Sequence, residues 1–230
     1  MSLWDNDNEL FEISRRELFT SVLGDVMDKM ELFHQFLPPG IRPLRSDMVL
    51  IGRAMTALSV DVCRERVAGS ANKLMEKPFG LMLEALDDLK SNEVYVSTGS
   101  SPRTALWGEL MSTRAMKLGA AGAVLNGYCR DTHAVLKLNF PAFSWGSYGQ
   151  DAAPRNKVVD FRIPVEIGNV LIHPGDLLFG DIDGVCCIPK DVEAEVFTKA
   201  LEKARSEKLV KKDLERGISA VAAFQKYGIM

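Results

Sequence analysis

Apolar residues recur at near-helical spacing from residue 6 to residue 30, at Leu10, Ile13, Leu18, Val22, Val26 and Met30, and the pattern predicts helix there. Pro38-Pro39-Gly40 ends it. Met48 to Val60 reads as one or two strands, with Gly52 marking a bulge or turn. A second helix is predicted from about Ser70 to Leu89, interrupted at Pro78-Phe79-Gly80. Glu93 to Ser97 is a short β-rich run, followed by the loop Thr98 to Pro102. Another helix begins near Trp107 and ends at Leu118-Gly119, where glycine is the usual C-terminal stop. Ala123-Val124-Leu125 reads as a buried strand. Phe143 to Trp145, Val158 to Ile167, Val170 to Ile172, Leu177 to Gly180 and Val185 to Pro189 follow as short strands punctuated by Gly, Pro and Asp. From Asp191 to about Lys226 the pattern returns to helix, divided at Gly217.

Helices and strands alternate over the first 125 residues, and a β-dense stretch follows. That order predicts an α/β fold with N-terminal helices and a C-terminal helical arm. No repeat or linker divides the chain, so residues 1–230 read as one domain, with a core over about 15–190 and the arm over about 191–230.

Composition narrows the function classes. With 47% hydrophobic and 26% charged residues and a net charge of −3, the chain has an ordinary globular balance and no basic stripe, which argues against nucleic-acid binding. No apolar run approaches the ~20 residues that span a bilayer, and the polar stretch Ser2 to Glu9 lacks the layout of a signal peptide. Cys63, Cys129, Cys186 and Cys187 form neither a disulfide framework nor a C-x-x-C pair. A cytoplasmic location is the expectation. No glycine-rich loop follows the first strand, which argues against a Rossmann-type cofactor site.

The window Trp107 to Thr132 carries the candidate chemistry. Glu109 stands at a predicted helix start, so the N–H groups of Leu110 and Met111 are open to an anion, and Gly108 permits close backbone approach. Twenty residues separate Glu109 from Arg130. They make up a helix, the return Gly119-Ala120-Ala121-Gly122 and a strand, which can bring Glu109 near Arg130-Asp131. Arg130 offers a planar fork suited to a carboxylate, and Asp131 offers hard oxygens suited to Mg²⁺ or Mn²⁺.

An acidic residue, twenty intervening residues and Arg-Asp resemble the RraA-like group, which includes 4-hydroxy-4-methyl-2-oxoglutarate and 4-carboxy-4-hydroxy-2-oxoadipate aldolases. Ser21 to Met30, Phe140-Pro141-Ala142-Phe143, Ile163-Pro164-Val165, Pro174-Gly175-Asp176 and Gly180 to Val185 resemble further motifs of that family, in the same order. The resemblance covers most of residues 15 to 225. It implies a β/β/α swivelling-type domain, a homotrimer or hexamer with sites between subunits, and divalent-metal-dependent cleavage of a 4-hydroxy-2-oxo acid to pyruvate or a related 2-oxo acid. Oxaloacetate decarboxylation is the implied companion activity.

By the same resemblance Asp131 binds the metal directly and Arg130 binds the substrate carboxylate and stabilises the enolate. The backbone of Gly108, Glu109, Leu110 and Met111 contacts the pyruvyl moiety, and Glu109 acts on the metal through water. Many of the aldolases have Asp where Glu109 stands here. Glu207 is the candidate for a further acid supplied by a neighbouring subunit's C-terminal helix. The family also includes non-enzymatic regulators that bind an RNA-processing endonuclease and lack the acidic residue of the motif. Asp181 and Asp183 read as turn-shaping residues, Cys129 as a small buried residue, and His34 and His173 as structural. His133 is a candidate specificity residue, and Lys73, Lys77 and Lys117 lack the setting of a Schiff-base lysine.

Overall fold

The computed structural model describes residues 3–62 and 70–229, so Cys63 lies outside the described residues. The predicted N-terminal helix is two helices, α1 (Asp7–Glu17) and α2 (Thr20–Lys29), with Leu18 and Phe19 extended between them. The break has a cause across the molecule. Phe19 gives α2 no side-chain cap, and Asp181 instead accepts hydrogen bonds from the Thr20 N–H at 2.8 Å and the Thr20 hydroxyl at 2.7 Å. A carboxylate from a distant strand therefore caps the helix, with the sign its dipole favours.

The strands in chain order are β1 (Arg42–Pro43), β2 (Leu50–Asp61), β3 (Glu93–Thr98), β4 (Ala105–Trp107), β5 (Gly122–Leu125), β6 (Tyr128–Cys129), β7 (Ala142–Ser144), β8 (Asn156–Phe161), β9 (Val165–Ile167), β10 (Val170–Ile172), β11 (Leu177–Asp181) and β12 (Gly184–Ile188). The remaining helices are α3 (Met82–Asp87), α4 (Glu109–Lys117), α5 (Thr132–Leu138), α6 (Glu193–Glu215) and α7 (Ala220–Tyr227). The main sheet runs β1-β7-β5-β3-β2-β11-β12, with β8 also on β2. One edge of β2 pairs in parallel with β3. Its other edge is shared by β11 along Leu50–Arg53 and β8 along Ala57–Asp61, with a register shift at Leu58/Ser59. The segment before β1 joins the two ends: Phe36 bridges Cys186, and the Leu37 N–H donates to the Val185 carbonyl at 2.9 Å. The result is a nearly closed, barrel-like sheet, and the α/β fold expected from the resemblance is the one found.

Alternation along the strands sorts side chains to the two faces. Leu178 and Cys187 join Leu50, Ala54, Val94, Val96, Val124 and Phe143 inside the barrel. Phe179 and Cys186 face outward beneath α1, α2 and α6. The neighbouring cysteines thus serve different cores, and burial pushes both thiols up. On the opposite outer face, Met55, Tyr95, Ala123 and Leu125 pack with Trp107, Ala115 and Val135 under α3, α4 and α5.

Several sequence expectations need adjusting. Gly52 makes no bulge; it lies inside β2, where a Cβ would stand 2.5 Å from the Asn92 carbonyl oxygen. The run Val158 to Ile167 breaks at Arg162, which adopts a positive φ of 56° and donates to both Glu93 carboxylate oxygens. The helix predicted from Ser70 is reduced to a 3₁₀ turn at Lys73–Glu76 and the short α3, with the interruption falling at Pro78 to Gly80. The C-terminal arm divides at Gly217, as its pattern predicts. There Asp213 accepts from Lys226 at 2.7 Å and the Tyr227 hydroxyl at 2.6 Å, tying α7 back onto α6. Among the described residues no helix is long and apolar enough to cross a membrane.

Candidate functional site

Two short parallel strands build the site. In β4, Trp107 is on a strand rather than in the helix expected for it, because its ring is wanted in the core. It stacks on Phe140 at 5.7 Å and its indole N–H donates to the Ser112 hydroxyl at 2.7 Å. Ser112 in turn donates to the Gly108 carbonyl at 3.0 Å, so the first turn of α4 is fixed from beneath. Trp107 pairs with Cys129 of β6, and the Arg130 N–H donates to the Trp107 carbonyl at 2.9 Å. Parallel pairing sends both chains the same way. Gly108-Glu109 and Arg130-Asp131 therefore leave the pair side by side.

The contacts between them are close. The Glu109 N–H lies 3.4 Å from Asp131 Oδ2, and Arg130 Nε lies 3.7 Å from the same oxygen. A Cβ on Gly108 would stand 2.7 Å from Asp131 Oδ2 and 3.2 Å from Arg130 Cγ, so only glycine leaves room for this arrangement. Asp131 holds a left-handed conformation (φ 53°) and starts α5, its carbonyl accepting from Ala134 and Val135. Among the described residues, neither the Leu110 nor the Met111 N–H has a partner, and nothing hydrogen-bonds Asp131 Oδ1. The Leu110 side chain is 83% exposed, while Met111 leans on the core beneath α4. The site thus offers open amides at a helix N-terminus, a guanidinium and a half-exposed carboxylate side by side.

Asp151 is a member that sequence reasoning missed. Its Oδ1 lies 2.9 Å from Arg130 Nη1, with the two side chains 47% and 41% exposed. A pair this open contributes at most about 1 kcal/mol to stability. Only its position after the glycine-rich Gly146 to Gly149 stretch hinted at a loop returning to the site, since a single Asp has no period to reveal it.

The residues fit a hard divalent cation. Asp131 supplies an unpaired carboxylate oxygen, and two acids, Asp131 and Asp151, flank Arg130. Among the described residues no cluster of three or more His, Cys, Asp or Glu forms a ready-made cage. One protein carboxylate, completed by waters and substrate oxygens, is a common arrangement for Mg²⁺.

Other candidates fall elsewhere. Glu207 pairs with Lys203 on α6, and Lys203 also reaches Asp25 on α2 at 3.0 Å. Asp181 caps α2 and accepts from the Asp183 N–H, which makes the acidic turn structural. Cys129 is buried, and desolvation, with the nearby Asp131 charge, pushes its thiol up to about 12; it is no nucleophile at neutral pH. His173 donates its N–H to the buried Asp176, whereas His34 and His133 are exposed.

Residues 20–187 match the model of the RraA-like family, described as Aldolase/RraA. The chain belongs to the RraA-like family. An RraA-like relative from Halalkalibacterium halodurans, provisionally named a 4-hydroxy-4-methyl-2-oxoglutarate aldolase, is 29% identical over 91% of this chain and 90% of its own length. A solved structure of an uncharacterised protein from Pseudomonas syringae superposes with a TM-score of 0.82 at 24% identity, covering 99% of this chain and 98% of that one. Streptomyces coelicolor RraAS2, described as an unusual member of the RNase ES inhibitor RraA protein family, gives 0.75 at 21% identity over 90% of this chain and 98% of its own. At those identities the two structures speak for the RraA-like fold alone.

Proposed function

We propose that this chain is a divalent-metal-dependent carbon–carbon lyase that cleaves a 4-hydroxy-2-oxo acid to pyruvate or a related 2-oxo acid and also decarboxylates oxaloacetate. The observation that carries the reading is the convergence of Arg130, Asp131 and the open α4 N-terminus across Gly108. A 2-oxo carboxylate suits the guanidinium of Arg130 and the N–H groups of Leu110 and Met111. Asp131 would hold Mg²⁺ or Mn²⁺, whose chemistry when bound is to polarise the 2-oxo group as a Lewis acid. Arg130 offsets the negative charge that grows as the carbon–carbon bond breaks, and such preorganised charge is commonly the largest catalytic contribution. Glu109, exposed at the start of α4, would act through water and assist proton transfer between the 4-hydroxyl and the enolate carbon.

The proposal extends to a homotrimer or hexamer in which Glu207 serves the site of a neighbouring subunit. The alternative, a non-enzymatic regulator of an RNA-processing endonuclease, has less support, because Glu109 occupies the acidic position that the resemblance says such regulators lack. A pyruvate-release screen over 4-hydroxy-2-oxo acids and oxaloacetate, with Mg²⁺, Mn²⁺ or EDTA, tests the reading. Metal-dependent release from at least one substrate is expected. Release that survives EDTA unchanged would remove the metal from the account. No release from any of them, alongside capture of an RNase E-type partner, would favour the regulator.

A further inference from the structure

We infer that Asp151 is a positioning residue for Arg130, drawing the guanidinium toward it at Nη1 by an ion pair so that its Nε–Nη2 edge stays free beside Asp131; this rests on the reading of the site given above. A guanidinium binds a carboxylate best through two parallel N–H groups, and Nε with Nη2 forms one such pair. Asp151 Oδ1 forms an ion pair with Nη1 at 2.9 Å. Among the described residues no protein group meets Nη2, and Nε looks toward Asp131 Oδ2 from 3.7 Å, too far for a hydrogen bond. The edge left open is therefore the bidentate one, and it lies beside the candidate metal carboxylate.

The mounting of Asp151 supports this role. The segment before it crosses both strands of the site: the Cys129 N–H donates to the Gly146 carbonyl at 3.0 Å, and the Tyr148 N–H to the Cys129 carbonyl at 2.9 Å. The Ala105 N–H donates to the Gln150 carbonyl at 2.8 Å, and Asp151 itself bridges to Ala105. Arg155 Nη1 donates to the Asp151 carbonyl at 2.9 Å and closes the turn. Asp151 is thus fixed to β4, the strand that leads into Gly108, while Arg130 leaves β6. A carboxylate anchored on one strand steers a long, flexible side chain leaving the other. The half-exposed pair adds little to stability, so the inference rests on the anchoring of Asp151 and the free edge of Arg130.

The test compares the wild type with D151A, D151N, R130A and the D151A/R130A double variant, using oxaloacetate with Mn²⁺. D151A should raise KM by up to about fivefold, the limit for a pair worth about 1 kcal/mol, with a smaller change in kcat, and D151N, which keeps an acceptor oxygen, should recover most of the loss. The double variant should be no worse than R130A alone. In parallel, NMR of the Arg130 Nε–H should show an ordered group in the wild type and loss of that order in D151A. This readout needs no turnover, so it decides the inference even if the wild type releases no pyruvate and the proposed reaction fails. Unchanged Arg130 order in D151A would overturn the inference. So would losses that multiply in the double variant, or tighter substrate binding by D151A, which would make Asp151 a competitor for the fork.

Discussion

Gly108 carries the sharpest consequence at the scale of single residues. Its φ of −163° suits any residue, so alanine there brings no backbone strain, only a Cβ 2.7 Å from Asp131 Oδ2. Gly108→Ala should therefore lower kcat/KM by about 100-fold, the order expected of an ångström-scale displacement, while the thermal midpoint stays near that of the wild type. Asp131 is the reverse case. Its φ of 53° is tolerated by Asp and Asn, whereas alanine costs about 1–2 kcal/mol there. Both Asp131→Asn and Asp131→Ala should abolish metal-dependent pyruvate release, and only the alanine variant should also melt earlier in a calorimeter. The approach of Glu109 to Arg130-Asp131 is expected from a helix, a glycine return and one strand, but the contact itself is made by a second short strand, β6, pairing with β4. Asp151 was not legible, because its contact with Arg130 depends on how an irregular loop crosses two strands.

Strongly periodic elements could be read and short ones could not. The C-terminal end of α4, the bounds of β10 and the α6–α7 arm follow the apolar pattern closely, while β4, β6 and α5 are too short to show a period and exist through their tertiary packing. Trp107 was assigned to a helix for that reason. The split between α1 and α2 was hidden as well, since the cap comes from Asp181 far along the chain. Removing that cap by Asp181→Ala should cost about 1–2 kcal/mol, a fall of roughly 2–8 °C in melting temperature for a chain of this size, with the site chemistry intact at ambient temperature. A second inter-element tie predicts a pH response. Hydrogen bonds from Arg205 on α6 and from Arg16, with their charges, hold the Glu17 carboxyl down to about 2, against an ordinary value of 4.5. A lowered carboxylate stabilises the fold fully above its ordinary value, and that contribution fades as pH falls from about 4.5 toward 2. Arg205→Ala should therefore be less stable than the wild type at neutral pH. The difference should shrink through that window in circular-dichroism melts taken at successive pH values.

For the whole molecule, the nearly closed sheet divides the chain into helices α1, α2 and α6 on one outer face and α3, α4 and α5 on another, with the candidate site on the latter side. The overall α/β architecture was foreseeable from the order of elements together with the family motifs. The closure was not, because it depends on the Phe36 and Leu37 contacts with β12, made by a segment that reads only as a proline-rich stop. The central claim is that Asp131 and Arg130 make one metal-assisted 2-oxo acid site. Its most direct test is pyruvate release from oxaloacetate by metal-stripped protein titrated with Mn²⁺, for the wild type and Asp131→Asn side by side, each corrected for the rate with Mn²⁺ alone. The account predicts a saturable rise in the wild type and no rise above background in the variant; equal rates in both proteins would contradict it.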